Sequence, residues 1–392
     1  MKIIFASCLL TPMVLCSAVG CNSSPTSTVD LGTAADFSVG SDLSSSADLG
    51  TSPDLANAAP PTEVMVARIG DGTGALMTNT GTAVFLERRK IAGGALVGAA
   101  LAMPTAANGA NRPFTLSGTG VSEGALNRSV DGRYVLLAGY DATPGTAALL
   151  DNSKRVIGRV AADGSMNTTT SFDGVSGAGN NIRSAISTDG NALWASGVLG
   201  VAYTTLGNTA NPIRPLGDPY NVRVLGIINN QLYVSRSSAT VGGINTVGAG
   251  LPTTADVTAT QLPGFPTNNN TLSSYGFLAI DRDTVPGIDT FYVADDRLGS
   301  GGGVQRWYLN NNSWTLDGTL ATGVLSGARG ITGYRSGSNT TLLVTTAEST
   351  GVQTRLVSFT DDGSAAASLT PTVLATAATN TAYRGVCLAP TN

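Results

Sequence analysis

Histidine is absent from the 392 residues of this chain. This absence excludes Ser-His-Asp and Cys-His catalysis, zinc sites with histidine ligands and proton relays through imidazole. Cysteine is scarce, and three of the four lie near the N-terminus, at Cys8, Cys16 and Cys21. Cys387 is then the single thiol of the C-terminal body, which excludes an intradomain disulfide, a cysteine zinc cluster and dithiol redox chemistry. Carboxylates, arginines, tyrosines and an oxygen-bound cation remain as the available chemistry.

Charge is also scarce, because only 12% of the residues are charged and the formal net charge is -4. A protein that binds nucleic acid usually carries a basic stripe, and this sequence has none, so we predict no nucleic-acid partner. Glycine is abundant instead, with 49 residues, together with many Thr, Asn, Val and Ser residues. This composition is typical of short strands joined by tight turns and predicts an all-β fold.

The N-terminus has the pattern of an export signal. Lys2 precedes an apolar stretch, residues 3–20, that is too short for a confident membrane span and ends in Ala18-Val19-Gly20-Cys21. This ending resembles the lipobox of bacterial lipoprotein precursors, although Ala18 stands where leucine is most frequent. The resemblance implies a signal peptide over residues 1–20, a lipid on Cys21 and anchoring in a membrane of the cell envelope. Since Asn22 rather than aspartate follows, it implies an outer-membrane lipoprotein, facing either the periplasm or the cell surface; the alternative is an ordinary secretory signal.

Residues 21–61 are polar and low in complexity. Within them, aspartates followed by a large apolar residue recur every sixth position, which matches neither a helical face nor strand alternation. We therefore predict a disordered acidic tether here, with docking of the Asp-Leu pairs on a partner as the alternative. The aspartates are Asp30, Asp36, Asp42, Asp48 and Asp54.

A longer repeat fills residues 62–392. Its clearest unit has four apolar, β-rich segments at 275–280, 290–296, 302–308 and 314–316. A repeated unit of four successive strands is typical of a propeller blade. The pattern resembles bacterial extracytoplasmic β-propellers, and this resemblance implies a fold rather than a particular activity.

Aligning the first strands of the units predicts six four-stranded blades. The aligned positions are Ala125, Arg183, Arg223, Tyr275, Arg329 and Arg384. The last segment, 383–390, has no successors, whereas 63–69, 82–88 and 95–102 lack a first strand. We therefore expect the C-terminal strand to complete the N-terminal blade, which removes two open sheet edges. Seven blades are the alternative, if residues 138–181 contain a further one.

The aligned first strands place Arg183, Arg223, Arg329 and Arg384 around one opening, which we call the arginine mouth. Carboxylates follow the second strands at the same face, among them Asp141, Asp295 and Asp296. One interpretation is a funnel in which arginine forks bind an anion and carboxylates orient hydroxyl groups of a glycan. The other is structural, with each arginine paired to a carboxylate of the adjacent blade.

Hard oxygen ligands offer a further possibility. Asp281, Asp283 and Asp289, together with Asp295 and Asp296, could bind Ca²⁺, or could be turn-forming residues of a solvated loop. We predict a non-enzymatic, surface-tethered lipoprotein without a cofactor that binds an anionic or glycan ligand or an envelope protein. A carboxylate-based hydrolase or lyase that could require Ca²⁺, and a purely structural envelope component, are the alternatives.

Overall fold

The computed structural model describes residues 59–73, 78–173, 180–217, 221–283, 285–299, 301–323, 326–348 and 353–392. All of them belong to one compact unit, Leu55–Asn392. The predicted signal peptide, the lipid attachment site Cys21 and nearly all of the predicted tether lie outside the described residues. Within the described part, no helix is long and apolar enough to cross a membrane.

Strands make up 51% of the structure and helices 2%, so the predicted all-β class is confirmed. The strands up to residue 172 are β1 Glu63–Ile69, β2 Gly81–Lys90, β3 Leu101–Ala102, β4 Thr115–Ser117, β5 Leu126–Arg128, β6 Tyr134–Asp141, β7 Lys154–Ala161 and β8 Met166–Phe172. A short helix, α1 Leu149–Asn152, precedes β7, and a 3-10 turn occupies Ala366–Ser368.

The remaining strands are β9 Ile182–Ser187, β10 Ala192–Gly197, β11 Gly200–Thr205, β12 Ile213–Leu216, β13 Val222–Ile228, β14 Gln231–Arg236, β15 Ile244–Val247, β16 Ala259–Gln261, β17 Ser274–Ile280, β18 Thr290–Asp295, β19 Gly303–Asn310, β20 Ser313–Leu320, β21 Gly327–Ser336, β22 Asn339–Ala347, β23 Arg355–Asp361, β24 Thr372–Thr376 and β25 Ala382–Leu388.

Four of the sheets are four-stranded antiparallel meanders, formed by β9–β12, β13–β16, β17–β20 and β21–β24. They lie in a ring, in a β-propeller arrangement. A nine-stranded sheet has the order β25-β1-β2-β4-β6-β7-β8, with β3 paired to β2 and β5 paired to β6.

The C-terminal strand β25 pairs antiparallel with β1, where Val64 lies opposite Leu388 and Val66 lies opposite Val386. The predicted pairing of the C-terminal strand with the N-terminal segment is therefore confirmed. The strand predicted over 95–102 is wrong in extent, because Leu101–Ala102 pairs with β2 as a strand and Leu96 forms a single bridge to Arg89 of β2. Glycines at 93, 94 and 98 have positive φ there and interrupt extended structure.

Tight hairpins connect strands within a sheet. Asn229 and Asn230 join β13 to β14, and Asn311 and Asn312 join β19 to β20. All four have positive φ, between 47° and 61°. Two successive residues of this kind form the turn whose twist matches that of the flanking strands, and asparagine tolerates the conformation better than most residues.

Apolar side chains from neighbouring sheets form the core. In one cluster, Phe265 packs at 4.6 Å between ring centroids against Trp307, and Phe291 packs at 4.6 Å against Trp314. These tryptophans and Trp194 are buried, as expected for packing residues. Cys387 is also buried, and burial raises the pKa of its thiol to about 12, which makes it a poor nucleophile.

Candidate functional site

Six strands form a closed ring of contacts around the middle of this unit. β5, β9, β13, β17, β21 and β25 each contact the next in this order, and β25 contacts β5. β9, β13, β17 and β21 each form one edge of their four-stranded sheets, and β25 forms an edge of the nine-stranded sheet. Side chains that leave these strands toward the ring axis are therefore brought together from six distant segments.

A register shift marks the arginine position in each of four ring strands. In β21, for example, Ala328 lies opposite Thr346 and Gly330 lies opposite Thr345, so Arg329 has no partner in the ladder. β9, β13 and β25 shift in the same way at Arg183, Arg223 and Arg384, and β17 does so at Tyr275. A β-bulge redirects a side chain out of its regular alternation. The recurring shift thus gives these five residues a common structural position.

Glycine follows the ring residue where neighbouring ring strands approach most closely. A Cβ at Gly276 would lie 2.8 Å from the carbonyl oxygen of Arg329, and one at Gly330 would lie 2.8 Å from that of Arg384. A Cβ at Gly385 would collide with the carbonyl oxygen of Gly124. In the pairs Arg329-Gly330 and Arg384-Gly385, the arginine therefore supplies the guanidinium of the mouth, and the glycine allows the neighbouring backbone to approach closely.

Arg223 and Arg329 flank Tyr275 and share one carboxylate. The guanidinium carbon of Arg223 lies 4.0 Å from the centroid of the Tyr275 ring, and that of Arg329 lies 5.9 Å from it. Asp296 is 3.7 Å from Arg223 and 3.6 Å from Arg329, longer than a charge-assisted hydrogen bond. The Nε atoms of both arginines are buried and have no hydrogen-bond partner among the described residues.

Arg183 has only neutral partners. Its Nε donates to Asn181 at 3.0 Å, and its Nη1 donates to Asn221 at 2.6 Å and to the carbonyl of Val222 at 3.0 Å. It forms no ion pair with a described residue. Burial lowers the pKa of Arg183 to about 10, and the positive charge of Arg223 acts in the same direction. The guanidinium still remains protonated at neutral pH.

Arg384 faces a buried glutamate that sequence analysis did not predict. Its Nη2 donates to the carbonyls of Ser117 and Gly118, both at 2.8 Å, while its Nη1 lies 3.9 Å from Glu123. Glu123 accepts a hydrogen bond from Tyr140 at 2.7 Å and one from the backbone amide of Ser117 at 2.9 Å. Burial raises the pKa of Glu123. Burial lowers the pKa of Arg384 to about 10; Glu123 opposes this shift, whereas Arg329 adds to it.

A small cavity of about 30 Å³ lies within this cluster, lined among others by Glu123, Tyr275, Arg329 and Arg384. Val121, which is exposed, also lines it, so the cavity reaches the surface. Its volume suits a single small group, whereas sites for whole drug-sized ligands measure about 300–1,000 Å³. The described part of the mouth therefore has four guanidiniums and two carboxylates, Asp296 and Glu123. Of these groups, Arg329, Arg384 and Glu123 line the cavity.

The structure brings together some predicted site residues and separates others. All four arginines and Asp296 lie at the arginine mouth. Asp141 instead pairs with Arg112 at 2.9 Å, and Asp295 pairs with Arg297 at 2.6 Å, so neither is paired with an arginine of the mouth. The sequence predicts these two carboxylates at the mouth because they end second strands, but nearby arginines in loops outside the strands bind them.

Glu123 was missed because it precedes the first strand of its unit and has no counterpart in the repeat. A signal was present, since Ala125 is the small residue among the six aligned positions. Glu123 lies in the turn before Ala125, where hydrogen bonds from the amide of Ser117 and from Tyr140 hold its carboxylate.

The five aspartates predicted as cation ligands also fall into two groups, of which one stays together and the other binds arginines. Asp281, Asp283 and Asp289 each offer an oxygen atom, and these atoms lie within 4.8 Å of one another. Asp295 and Asp296 bind arginines instead. Backbone amides already donate to the three loop aspartates, as in a solvated turn, for example from Arg282 to Asp289 at 2.9 Å and from Gly287 to Asp281 at 3.1 Å.

No protein-family model matches the chain, and no curated protein matches it either. Among solved structures it is similar to a Bacteroides caccae protein of unknown function, at 10% identity and a TM-score of 0.44, covering 83% of this chain and 98% of that one. It is also similar to a Bacteroides fragilis protein provisionally assigned as a 6-phosphogluconolactonase, at 13% identity and a TM-score of 0.43, covering 82% and 97%. Prolyl oligopeptidase B from Galerina marginata has 10% identity, a TM-score of 0.37, and coverage of 76% and 39%. At these identities and TM-scores, none of the similarities indicates a function for this chain.

Proposed function

We propose that this protein is an envelope lipoprotein whose six-bladed propeller binds a small anion, or the anionic end of a larger ligand, at the arginine mouth. The observation that carries the proposal is a cavity lined by the guanidiniums of Arg329 and Arg384 and by one carboxylate among the described residues, that of Glu123. Buried charges are normally neutralised by partners, and an uncompensated excess is costly. An anion in the cavity would compensate the excess and offer an acceptor to Nε of Arg329 and Nη1 of Arg384, which have no hydrogen-bond partner among the described residues.

The contacts favour this function over a purely structural mouth. A lock between blades would pair each arginine closely with its own carboxylate and leave no cavity. Instead Arg223 and Arg329 share Asp296 at 3.7 and 3.6 Å, and Arg183 binds neutral groups. The cavity of about 30 Å³ also favours an anionic group over a whole sugar ring.

The count of six blades is part of the proposal. Six ring strands support it, provided that the nine-stranded sheet is divided at β4 into one blade of β25, β1, β2 and β3 and another of β5, β6, β7 and β8. The stretch where a seventh blade would lie contributes β7 and β8 to the second of these. A lipid on Cys21 and an acidic tether would hold this body at an envelope membrane. The proposed role of the body there is binding, not catalysis.

The first test is calorimetric titration of the purified full chain with acetate, methanesulfonate, sulfate and phosphate. We expect at least one of these anions to bind. Arg329→Gln should weaken binding by about 10- to 100-fold, because hydrogen bonds to charged groups contribute about 1.5–3 kcal/mol. Arg335→Gln, at the exposed end of the same strand, is the matched control and should leave affinity unchanged. Absence of binding to the unmodified chain, or equal effects of both substitutions, would contradict the proposal.

A further inference from the structure

The anion cavity and the Glu123 carboxylate occupy the same small space. Glu123 lines the cavity together with Arg384, Arg329 and Tyr275. Its carboxylate lies 3.9 Å from Nη1 of Arg384, which has no hydrogen-bond partner among the described residues. An anion that accepts a hydrogen bond from this Nη1 would therefore come close to Glu123.

Two negative charges cannot easily coexist there. Like charges at close range in a buried site disfavour double ionisation, so that one of the two groups takes up a proton. An anion of a strong acid remains ionised, which leaves Glu123 as the group that must be protonated. Among the described residues, its carboxylate accepts hydrogen bonds from two neutral donors, Tyr140 and the amide of Ser117, while the charged Arg384 lies 3.9 Å away.

Resting on the proposed function, we infer that the arginine mouth binds its anion together with one proton, which is taken up by the Glu123 carboxyl group. Glu123 then competes with the anion for Arg384. The ionised carboxylate of Glu123 repels the anion, whereas the protonated carboxyl group leaves Arg384 free to bind the anion. The ligand is thus an anion whose affinity for the mouth rises as the pH falls, because the anion and one proton bind together.

The charged and titratable groups around Glu123 come from several strands. Arg384 of β25 and Arg183 of β9 lower the pKa of Glu123 through their positive charges, and Tyr140 of β6 lowers it by donating a hydrogen bond. Arg155 of β7 lies near the Tyr140 ring, at 5.3 Å from its centroid. Burial is the largest influence and raises the pKa of Glu123, whereas the two arginines and the hydrogen bonds act against it. Burial also raises the pKa of Tyr140 well above its usual range, so Tyr140 stays a neutral donor.

The test uses the purified full chain and methanesulfonate, an anion that does not titrate between pH 5 and 9. Affinity should fall as the pH rises through the pKa of Glu123, by up to about tenfold per pH unit for one linked proton. Titration in two buffers of different ionisation enthalpy should show uptake of up to one proton per bound anion. This second measurement needs no variant and remains informative if a substitution prevents folding.

Glu123→Gln should bind methanesulfonate with little pH dependence and with no proton uptake. Glu87→Gln is the matched control, because Glu87 is another buried glutamate and its ion pairs with Arg68 and Arg89 lie outside the mouth. It should keep the pH slope of the unmodified chain. Binding without a pH slope, or a slope that persists in Glu123→Gln, overturns proton coupling while the proposed function stands. No binding to the unmodified chain or to Glu123→Gln at pH 5 or 8 overturns both.

Discussion

At the residue scale, buried charge is managed in two contrasting ways. Asp361 is fully buried, yet it accepts hydrogen bonds from Arg306 at 2.6 Å, from Tyr292 at 2.7 Å and from Arg282 at 3.3 Å. This network joins β18 and β19 to β23 of the next sheet and is saturated with donors. The arginine mouth is the opposite case, since its guanidiniums outnumber the nearby carboxylates. This contrast is the reason why we propose the arginine mouth, and not the Asp361 network, as the binding site.

Replacing Asp361 with asparagine should destabilise the fold by about 1.5–3 kcal/mol, because it removes the charge-assisted hydrogen bonds from Arg306 and Arg282, while Asp317 still pairs with Arg306. Asp362→Asn, at the neighbouring exposed position, should leave the unfolding midpoint unchanged. Burial would raise the pKa of Asp361, but the hydrogen bonds from Arg306 and Tyr292 hold it below its usual value. Its contribution is therefore present at neutral pH and lost as the pH falls through the folded-state pKa. Urea unfolding at pH 7 and pH 3 measures both effects; an unchanged midpoint in Asp361→Asn would contradict the role of this network.

At the scale of elements, the site depends on the bulged ring strands and on the glycines beside them. The strand patterns themselves are visible in the sequence, as in 63–69, which matches β1. The bulges are not visible, because an extra residue shows itself only by shifting the alternation of buried and exposed positions, and a strand such as β9 is buried at every position. Arg-Gly at 329–330 and 384–385 was a recognisable signal, but its meaning required the neighbouring strand.

Gly330→Ala should lower stability by about 1–3 kcal/mol, as overpacking in a close-fitted interior does. The added methyl group would lie 2.5 Å from the Thr345 hydroxyl oxygen and 2.8 Å from the carbonyl oxygen of Arg384. It should also weaken anion binding, since it displaces the strand that carries Arg384. Gly217→Ala is the control, because nothing lies within 4 Å of a Cβ there. Equal stability of the two variants in thermal unfolding would show that β21 and β25 do not pack as described.

At the scale of the whole molecule, the sequence predicts a division of labour between the N-terminus and the body. Residues 1–61 carry the features of export, lipidation and a tether, and the body supplies the candidate binding site. Anchoring would place such a site at a membrane surface, where anions of the envelope are its available ligands.

Cys21→Ser should move the protein from the membrane fraction to the soluble fraction of the bacterial envelope, because the serine hydroxyl cannot accept the thioether-linked lipid. Cys387→Ala is the control and should remain membrane-bound, since Cys387 is buried in the body. Incorporation of labelled fatty acid into the full chain and into both variants provides the measurement. Equal labelling of the full chain and Cys21→Ser would contradict lipidation at this position.

The sequence by itself determined the all-β class, most of the strands, the pairing of the first and last strands and the common position of the four arginines. These features follow from local turn chemistry, from apolar alternation and from the repeat, all of which are recorded in neighbouring residues. Tertiary structure alone decided which carboxylates face the arginines. Asp141 and Asp295 were captured by Arg112 and Arg297, whereas Glu123 entered the mouth from a turn outside the repeat. The physical reason is that ion pairing depends on distances of a few ångströms between residues far apart in the chain, and no local pattern encodes such distances.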